Sequence, residues 1–186
     1  MKFSELIKLP CCSNRIIDFD SLKSCIPETP DLVIRQFYSD HGWNSEFQQA
    51  YGSLEIDKIV WDIKSVKASE ILNCDIRSEC SNYHAVIDLR WGEFESLGFH
   101  DQTEIDLHWR VNKTWTKPPV FLSGFCKLST TLHLAEGQTR YRTLYNSVKY
   151  GKSSIESYHQ IFIGTIPRSS AMTKCIDPAL KGDAHG

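Results

Sequence analysis

The sequence predicts an α+β fold, in which a small mixed sheet with helices is joined to an N-terminal helical hairpin. Two patterns carry this prediction. Apolar residues recur at helical spacing over residues 30–52, and residues 118–164 have the pattern strand, strand, helix, strand. The chain has 186 residues, of which 41% are apolar and 24% charged. It is therefore long enough for a substantial core in one domain with an appendage.

The helical hairpin is predicted from its caps. Thr29 is an N-cap candidate, Pro30 suits the first helical position, and Gly42 can close this helix as a left-handed C-cap. Asn44 is the expected N-cap of a second, shorter helix that Gly52 ends. We expect the two helices to pack against each other and against the core.

The middle of the chain has weaker patterns. Apolar residues over 54–61 indicate a strand, and residues 68–72 indicate a helical turn or two. Residues 83–91 fit either a strand or a short helix. The alternation of apolar and polar residues over 105–109 favours a strand.

The second half has the clearest periodicity. After two prolines, residues 120–122 predict a buried strand, and residues 131–135 predict the next one. Helical spacing over 141–148 follows, with Gly151 as its expected end, and residues 159–163 predict the last strand.

Composition restricts the function classes. The net charge of −2 argues against indiscriminate nucleic-acid binding, and no apolar run is long enough for a transmembrane helix. The seven cysteines are odd in number and include no C-x-x-C pair, so we expect free thiols in a reducing cytoplasm. A zinc site from Cys74, Cys80 and a distant histidine has the wrong spacing for a known finger.

The turn after the second predicted strand stands out. An alternating apolar run stops at Glu136-Gly137, and Arg140 and Arg142 follow as a helix begins. Arginines are locally unfavourable at a helix N-terminus, which already carries partial positive charge. A bound anion such as phosphate compensates for them. The alternative is a purely structural glycine turn with solvated or ion-paired arginines.

The same residues resemble a known motif. The stretch 136–144 is similar to the second motif of ParB/sulfiredoxin-like domains, where a strand leads into Gly-Glu-Arg-Arg, an aromatic residue, Arg and Ala. Gly137, Arg140, Tyr141 and Arg142 match the glycine, second arginine, aromatic residue and third arginine. With Glu before Gly and Thr before Arg, the chain looks like a stand-alone bacterial ParB-like protein with an EGxTR motif.

This resemblance implies phosphate chemistry. ParB-like domains bind CTP at this motif, sulfiredoxins bind ATP, and related members transfer phosphate to small molecules. The expected ligand is therefore a nucleoside triphosphate, CTP or ATP, with Mg²⁺ left open. The residues implied as its cradle are Gly137, Gln138, Thr139 and Arg140, while Arg142 either assists or pairs structurally.

The chain departs from the motif at some positions, and these differences exclude two of the family's functions from what we expect. Gln138 stands where sulfiredoxin has its cysteine, and Thr139 stands where it has a histidine, so sulfinic-acid reduction is not expected. Thr139 also replaces the first arginine of the ParB pair. No helix-turn-helix pattern follows residue 164, so we do not expect a plasmid-partition clamp.

Other candidate residues each have two interpretations. Glu136 is a candidate general base or Mg²⁺ ligand, or else it pairs with an arginine or caps the helix. His133 either lines the site or is hydrogen-bonded in place. His41 suits a helix C-terminal charge partner better than a ligand. Trp109 and Trp115 either stack on a base or, more commonly, pack in the core.

Three functional hypotheses follow. The first is a cytoplasmic nucleotide-binding domain, either an NTPase or phosphotransferase or an NTP-controlled switch. The second is a nucleic-acid-binding or nuclease-like module, and the third is a non-enzymatic interaction protein that kept the fold. We expect a helical lead-in over residues 1–53, a ParB/sulfiredoxin-like domain over 54–166 and a flexible tail over 167–186. No membrane partner is expected, and a homodimer is left open.

Overall fold

The structure is a computed structural model that describes residues 1–12, 14–77, 80–90, 108–109, 111–124, 132–150 and 155–166. Several predictions lie outside these residues: most of the strand at 105–109, the helix end at Gly151 and the tail at 167–186. The described part holds a four-stranded sheet with helices packed on both faces. The α+β class with a small mixed sheet is therefore confirmed.

The sheet is mixed, with the strand order β1-β4-β2-β3. Its strands are β1 (Val60–Lys67), β2 (Val120–Ser123), β3 (His133–Glu136) and β4 (Tyr158–Thr165). β4 runs antiparallel to β1 and parallel to β2, and β3 runs antiparallel to β2. The three strands predicted in the second half of the chain are confirmed, with bounds that differ by one or two residues. β1 and β3 are the two edges of the sheet.

A layer of short helices covers one face of the sheet. It consists of two 3-10 helices (Phe3–Lys8 and Ile56–Lys58), α1 (Phe19–Cys25), α2 (Asp31–Val33, continued as a π-helix over Ile34–Ser39) and α3 (Ser45–Tyr51). The side chain of Asn44 accepts hydrogen bonds from the N–H groups of Glu46 and Phe47, at 2.9 and 3.2 Å. The predicted hairpin, its Asn44 cap and its end at Gly52 are therefore confirmed.

Two details of the predicted hairpin are wrong. The N-cap of the first helix is Pro30 and not Thr29, whose N–H instead closes a turn on the carbonyl of Ile26 at 3.1 Å. Gly42 does not have a left-handed conformation. Its lack of a side chain is required by space, because a Cβ there would lie 2.6 Å from the carbonyl oxygen of Tyr38 and 2.3 Å from the Cδ1 atom of Ile17.

The rest of the sheet is accompanied by α4 (Ala68–Leu72), α5 (Cys80–Arg90) and α6 (Gln138–Tyr150). The helical turn predicted at residues 68–72 is confirmed. Of the two alternatives for residues 83–91, the structure shows a helix over the part that it describes. None of the helices in the described ranges is both long and apolar enough to cross a membrane.

One strand prediction in the middle of the chain has the wrong start, and a second differs from the structure at the one end that the structure describes. The strand predicted over residues 54–61 begins only at Val60, because Ile56 and its neighbours form a 3-10 turn that buries the same apolar side chains. At the end of the alternation over 105–109, Trp109 lies in a helical turn, and its carbonyl accepts the N–H of Lys113 at 2.8 Å. Apolar spacing over so few residues fits either structure.

The core follows the two faces of the sheet. Val120 and Leu122 of β2 pack with the N-terminal helices, while Phe121 between them packs with α4 and α6 on the other face. The same alternation places Ala135 and Leu134 of β3 on opposite faces. The N-terminal residues and the sheet thus share one hydrophobic cluster.

Candidate functional site

A glycine turn joins the edge strand β3 to the long helix α6. β3 ends at Glu136, Gly137 has a left-handed φ of +104°, and α6 begins at Gln138. A Cβ on Gly137 would lie 2.5 Å from the Cβ of Pro119. Glycine is therefore required both for the backbone conformation and for the close approach of the loop before β2.

The first turn of α6 has the properties of an anion site. The N–H groups at the start of a helix have no partner within the helix and carry partial positive charge. The first turn of α6 contains no acidic residue, and Gln138, Thr139 and Arg140 are all partly exposed. Backbone donors, an amide, a hydroxyl and a guanidinium thus lie within three consecutive residues. The Gln138 Nε2 atom is buried and the Arg140 guanidinium is paired within the chain, so the donors left for a phosphate group are the backbone N–H groups and the Thr139 hydroxyl.

Arg140 connects this turn to other parts of the chain through hydrogen bonds and an ion pair. Its guanidinium pairs with Glu136, and its Nη1 atom donates to the Oε1 atom of Gln36 at 2.9 Å and to the carbonyl of Lys117 at 2.7 Å. Of the two roles open for Glu136, the structure shows the ion pair. Arg140 thereby connects α6 with the N-terminal helical layer and with the loop before β2.

Arg142 contacts a different part of the molecule. Its guanidinium forms a bidentate pair with Asp88 of α5, with 2.6 Å between Nε and Oδ1. Asn146 donates to the same carboxylate at 2.9 Å. This arrangement holds the pKa of Asp88 below its usual range, chiefly through the hydrogen bond from Arg142. Two residues along a helix lie on nearly opposite sides, so Arg140 and Arg142 do not form one cluster.

Helix α5 also contacts the first turn of α6. The Tyr83 hydroxyl lies 2.7 Å from the Thr139 hydroxyl, and the His84 Nε2 atom lies 2.8 Å from the Oε1 atom of Gln138. Burial is the main cause that lowers the pKa of His84. Tyr83 itself is half exposed. The side chains that the resemblance implies as a phosphate cradle are thus bordered by a tyrosine and a histidine.

The charges around Arg140 are balanced. Burial raises the pKa of Glu136 despite its pairing with Arg140, and the nearby charge of Asp40 acts in the same direction. The pKa of Asp40 is raised by burial and lowered less strongly by Lys117. Two carboxyl groups therefore face two basic side chains at this end of the sheet.

His133 lies on the face of the sheet that the N-terminal helices cover. It is buried, its Nε2 atom lies 2.8 Å from the Tyr51 hydroxyl, and its Nδ1 atom lies 2.9 Å from the Oδ2 atom of Asp75. Burial lowers the pKa of His133, against an opposing effect of Asp75. Of the two interpretations of His133, the structure shows the one in which it is hydrogen-bonded in place.

The remaining aromatic and histidine candidates serve packing. Trp109 and Trp115 are buried with His159, and the Trp115 indole donates to the carbonyl of Gln160 at 2.6 Å. His41 stacks on a phenylalanine ring of α3. Burial is the larger of two causes that lower its pKa to about 4, so the ring is neutral near pH 7.

The described residues include no group of three or more His, Cys, Asp or Glu side chains arranged to hold a metal ion. Cys74 is a free thiol whose pKa burial raises to about 12, so it is a poor metal ligand and nucleophile.

Several residues of this region carried no signal in the sequence. Gln36 lies 104 positions from Arg140, and Asp88 lies 54 positions from Arg142. Tyr83 and His84 belong to a segment whose apolar residues favour no single helical face, so its packing on α6 could not be predicted.

Comparison with known proteins gives no relationship: no protein-family model, no curated protein and no solved structure matches this chain.

Proposed function

We propose that the turn Gly137–Arg140 binds a phosphate group of a nucleoside triphosphate, in a domain of ParB/sulfiredoxin-like fold. One observation is the main support for the proposal. β3 is joined to α6 by the left-handed Gly137 alone, and the first turn of α6 has no acidic residue. Such turns orient several backbone N–H groups toward one point, where a phosphate oxygen can accept them.

The residues of the turn have distinct roles in this proposal. The N–H groups of Gln138 and Thr139 bind phosphate oxygens, and the Thr139 hydroxyl is a further donor. Arg140 holds the turn in place through its contacts with Glu136 and the loop before β2. Tyr83 borders the site and offers an aromatic ring to a nucleotide base.

The order of elements from β2 to β4 supports the family part of the proposal, since strand, strand, helix and strand surround the motif as the resemblance implies. The exposed thiols of Cys11, Cys12 and Cys25 support a reducing compartment such as the cytoplasm.

Isothermal titration of the full chain with each of the four ribonucleoside triphosphates and Mg²⁺ tests the proposal. We expect at least one to bind at millimolar concentration or below. Thr139→Asp should abolish this binding by charge repulsion, while an acid at this position favours the helix and preserves the fold. Thr143→Asp, one turn further along α6, is the matched control and should bind more tightly than Thr139→Asp. The proposal fails if no nucleotide binds or if Thr139→Asp binds like the wild type.

A second candidate function rests on a different observation. Arg140 and Arg142 are both paired with carboxylates of the same chain. Such internal pairing favours a non-enzymatic interaction protein that kept the fold. If this second function is correct, the folded chain binds no nucleotide in the titration above, and a pull-down with the chain recovers a specific partner.

A further inference from the structure

The edge strand β1 is long and unusually exposed. Among the strands that the structure describes, β1 pairs only with β4, and none of the others lies against its outer edge. Val60 and Ile63 are exposed by 67% and 49%, although both are apolar. Asp62 and Lys64 lie beside them and are also mostly exposed. An open strand edge with exposed apolar residues is a template for pairing with another strand.

We propose that β1 pairs with β1 of a second copy of this chain, antiparallel and around a two-fold axis at Ile63, to give a continuous eight-stranded sheet. This two-fold axis is perpendicular to the sheet. Each face of the sheet in one copy therefore continues into the same face of the sheet in the other copy. The charges of β1 are complementary to those of a second, antiparallel β1, and this complementarity identifies the partner as another copy of the chain.

The alternation of side chains limits the registers of such a pair. Residues directly opposite each other in an antiparallel pair lie on the same face, so the axis must pass through a residue and not between two. The central candidates are therefore Asp62, Ile63 and Lys64.

Charge selects one of these three registers. An axis at Asp62 places the two Asp62 carboxylates opposite each other, and an axis at Lys64 does the same for two ammonium groups. Like charges in directly opposite positions destabilise a sheet. An axis at Ile63 places Asp62 of each copy opposite Lys64 of the other, twice by symmetry. It also sets Ile63 against its own copy and the exposed Val60 against Val66.

Sedimentation velocity of the full chain, from about 1 µM to about 1 mM, tests this pairing. We expect a concentration-dependent species of twice 21.3 kDa. Asp62→Lys and Lys64→Asp should each weaken the dimer by about tenfold, because two attractive pairs become repulsive. The double variant Asp62→Lys/Lys64→Asp restores opposite charges in the same register and should recover the wild-type constant.

Lys8→Asp is the matched control, since Lys8 is exposed, lies in the first 3-10 helix and undergoes the same change of charge as Lys64→Asp. It should leave the dimer unchanged. A chain that stays monomeric at the highest concentration overturns the proposal. So does a dimer that ignores the single charge reversals, or one that the double variant does not restore.

Discussion

Replacement of Gly137 by alanine tests the geometry of the turn on which the proposed function depends. The substitution adds one methyl group at a residue with a φ of +104°. A left-handed conformation costs an L-residue about 1–2 kcal/mol. The new Cβ would also lie 2.5 Å from the Cβ of Pro119 and 3.2 Å from two nitrogens of Arg140. Such overpacking costs about 1–3 kcal/mol more.

The expected loss of unfolding free energy is therefore about 2–5 kcal/mol, measured by urea denaturation at neutral pH. Gly124→Ala is the matched control. Gly124 also has a positive φ, of +78°, but among the described residues its Cβ would meet the carbonyl oxygen of Ile166 alone, at an ordinary 3.5 Å. Gly124→Ala should therefore lose only the conformational cost, about 1–2 kcal/mol of unfolding free energy. If Gly137→Ala costs no more than Gly124→Ala, the close packing of this turn on Pro119 is refuted.

Three further substitutions test the buried polar groups. His41→Phe removes a ring whose pKa in the folded chain is about 4, against an ordinary value of 6.5. Since the folded pKa is the lower one, the wild type loses stability as the pH falls below 6.5. In urea denaturation it should lose about 2 kcal/mol more than the variant between pH 7 and pH 5, and equal losses would contradict this. Asp88→Asn removes the counter-charge of the partly buried Arg142 and should lower the unfolding free energy by about 1–3 kcal/mol; no change would mean that the pair is solvated. Tyr51→Phe removes a hydrogen bond to the buried His133 and should cost about 1–2 kcal/mol, whereas a neutral result would show that water replaces the hydroxyl.

The parts of the fold that the sequence predicts are those with a local cause. Asn44 caps α3 because its side chain reaches the N–H groups of the next turn. β2 is a run of buried apolar residues between two prolines and a glycine, and α6 has regular helical spacing after Gly137. Each of these signals acts within about ten residues, so no knowledge of the rest of the chain is needed.

The parts that the sequence does not predict depend on distant contacts. Most of β1 is exposed at the edge of the sheet, so Asp62, Lys64 and Ser65 hide the alternation that marks a half-buried strand. The candidate site also depends in part on distant contacts. The glycine turn follows from the local pattern, but Gln36 and Asp88 reach the arginines of α6 only after the chain has folded.

An NMR titration of the ¹⁵N-labelled chain shows directly whether the first turn of α6 binds phosphate. Addition of CTP or ATP with Mg²⁺ should shift the amide signals of Gly137, Gln138 and Thr139 first and most strongly. Amide signals that stay unchanged at millimolar nucleotide, or that shift elsewhere while these three do not, would mean that this turn does not bind the phosphate groups.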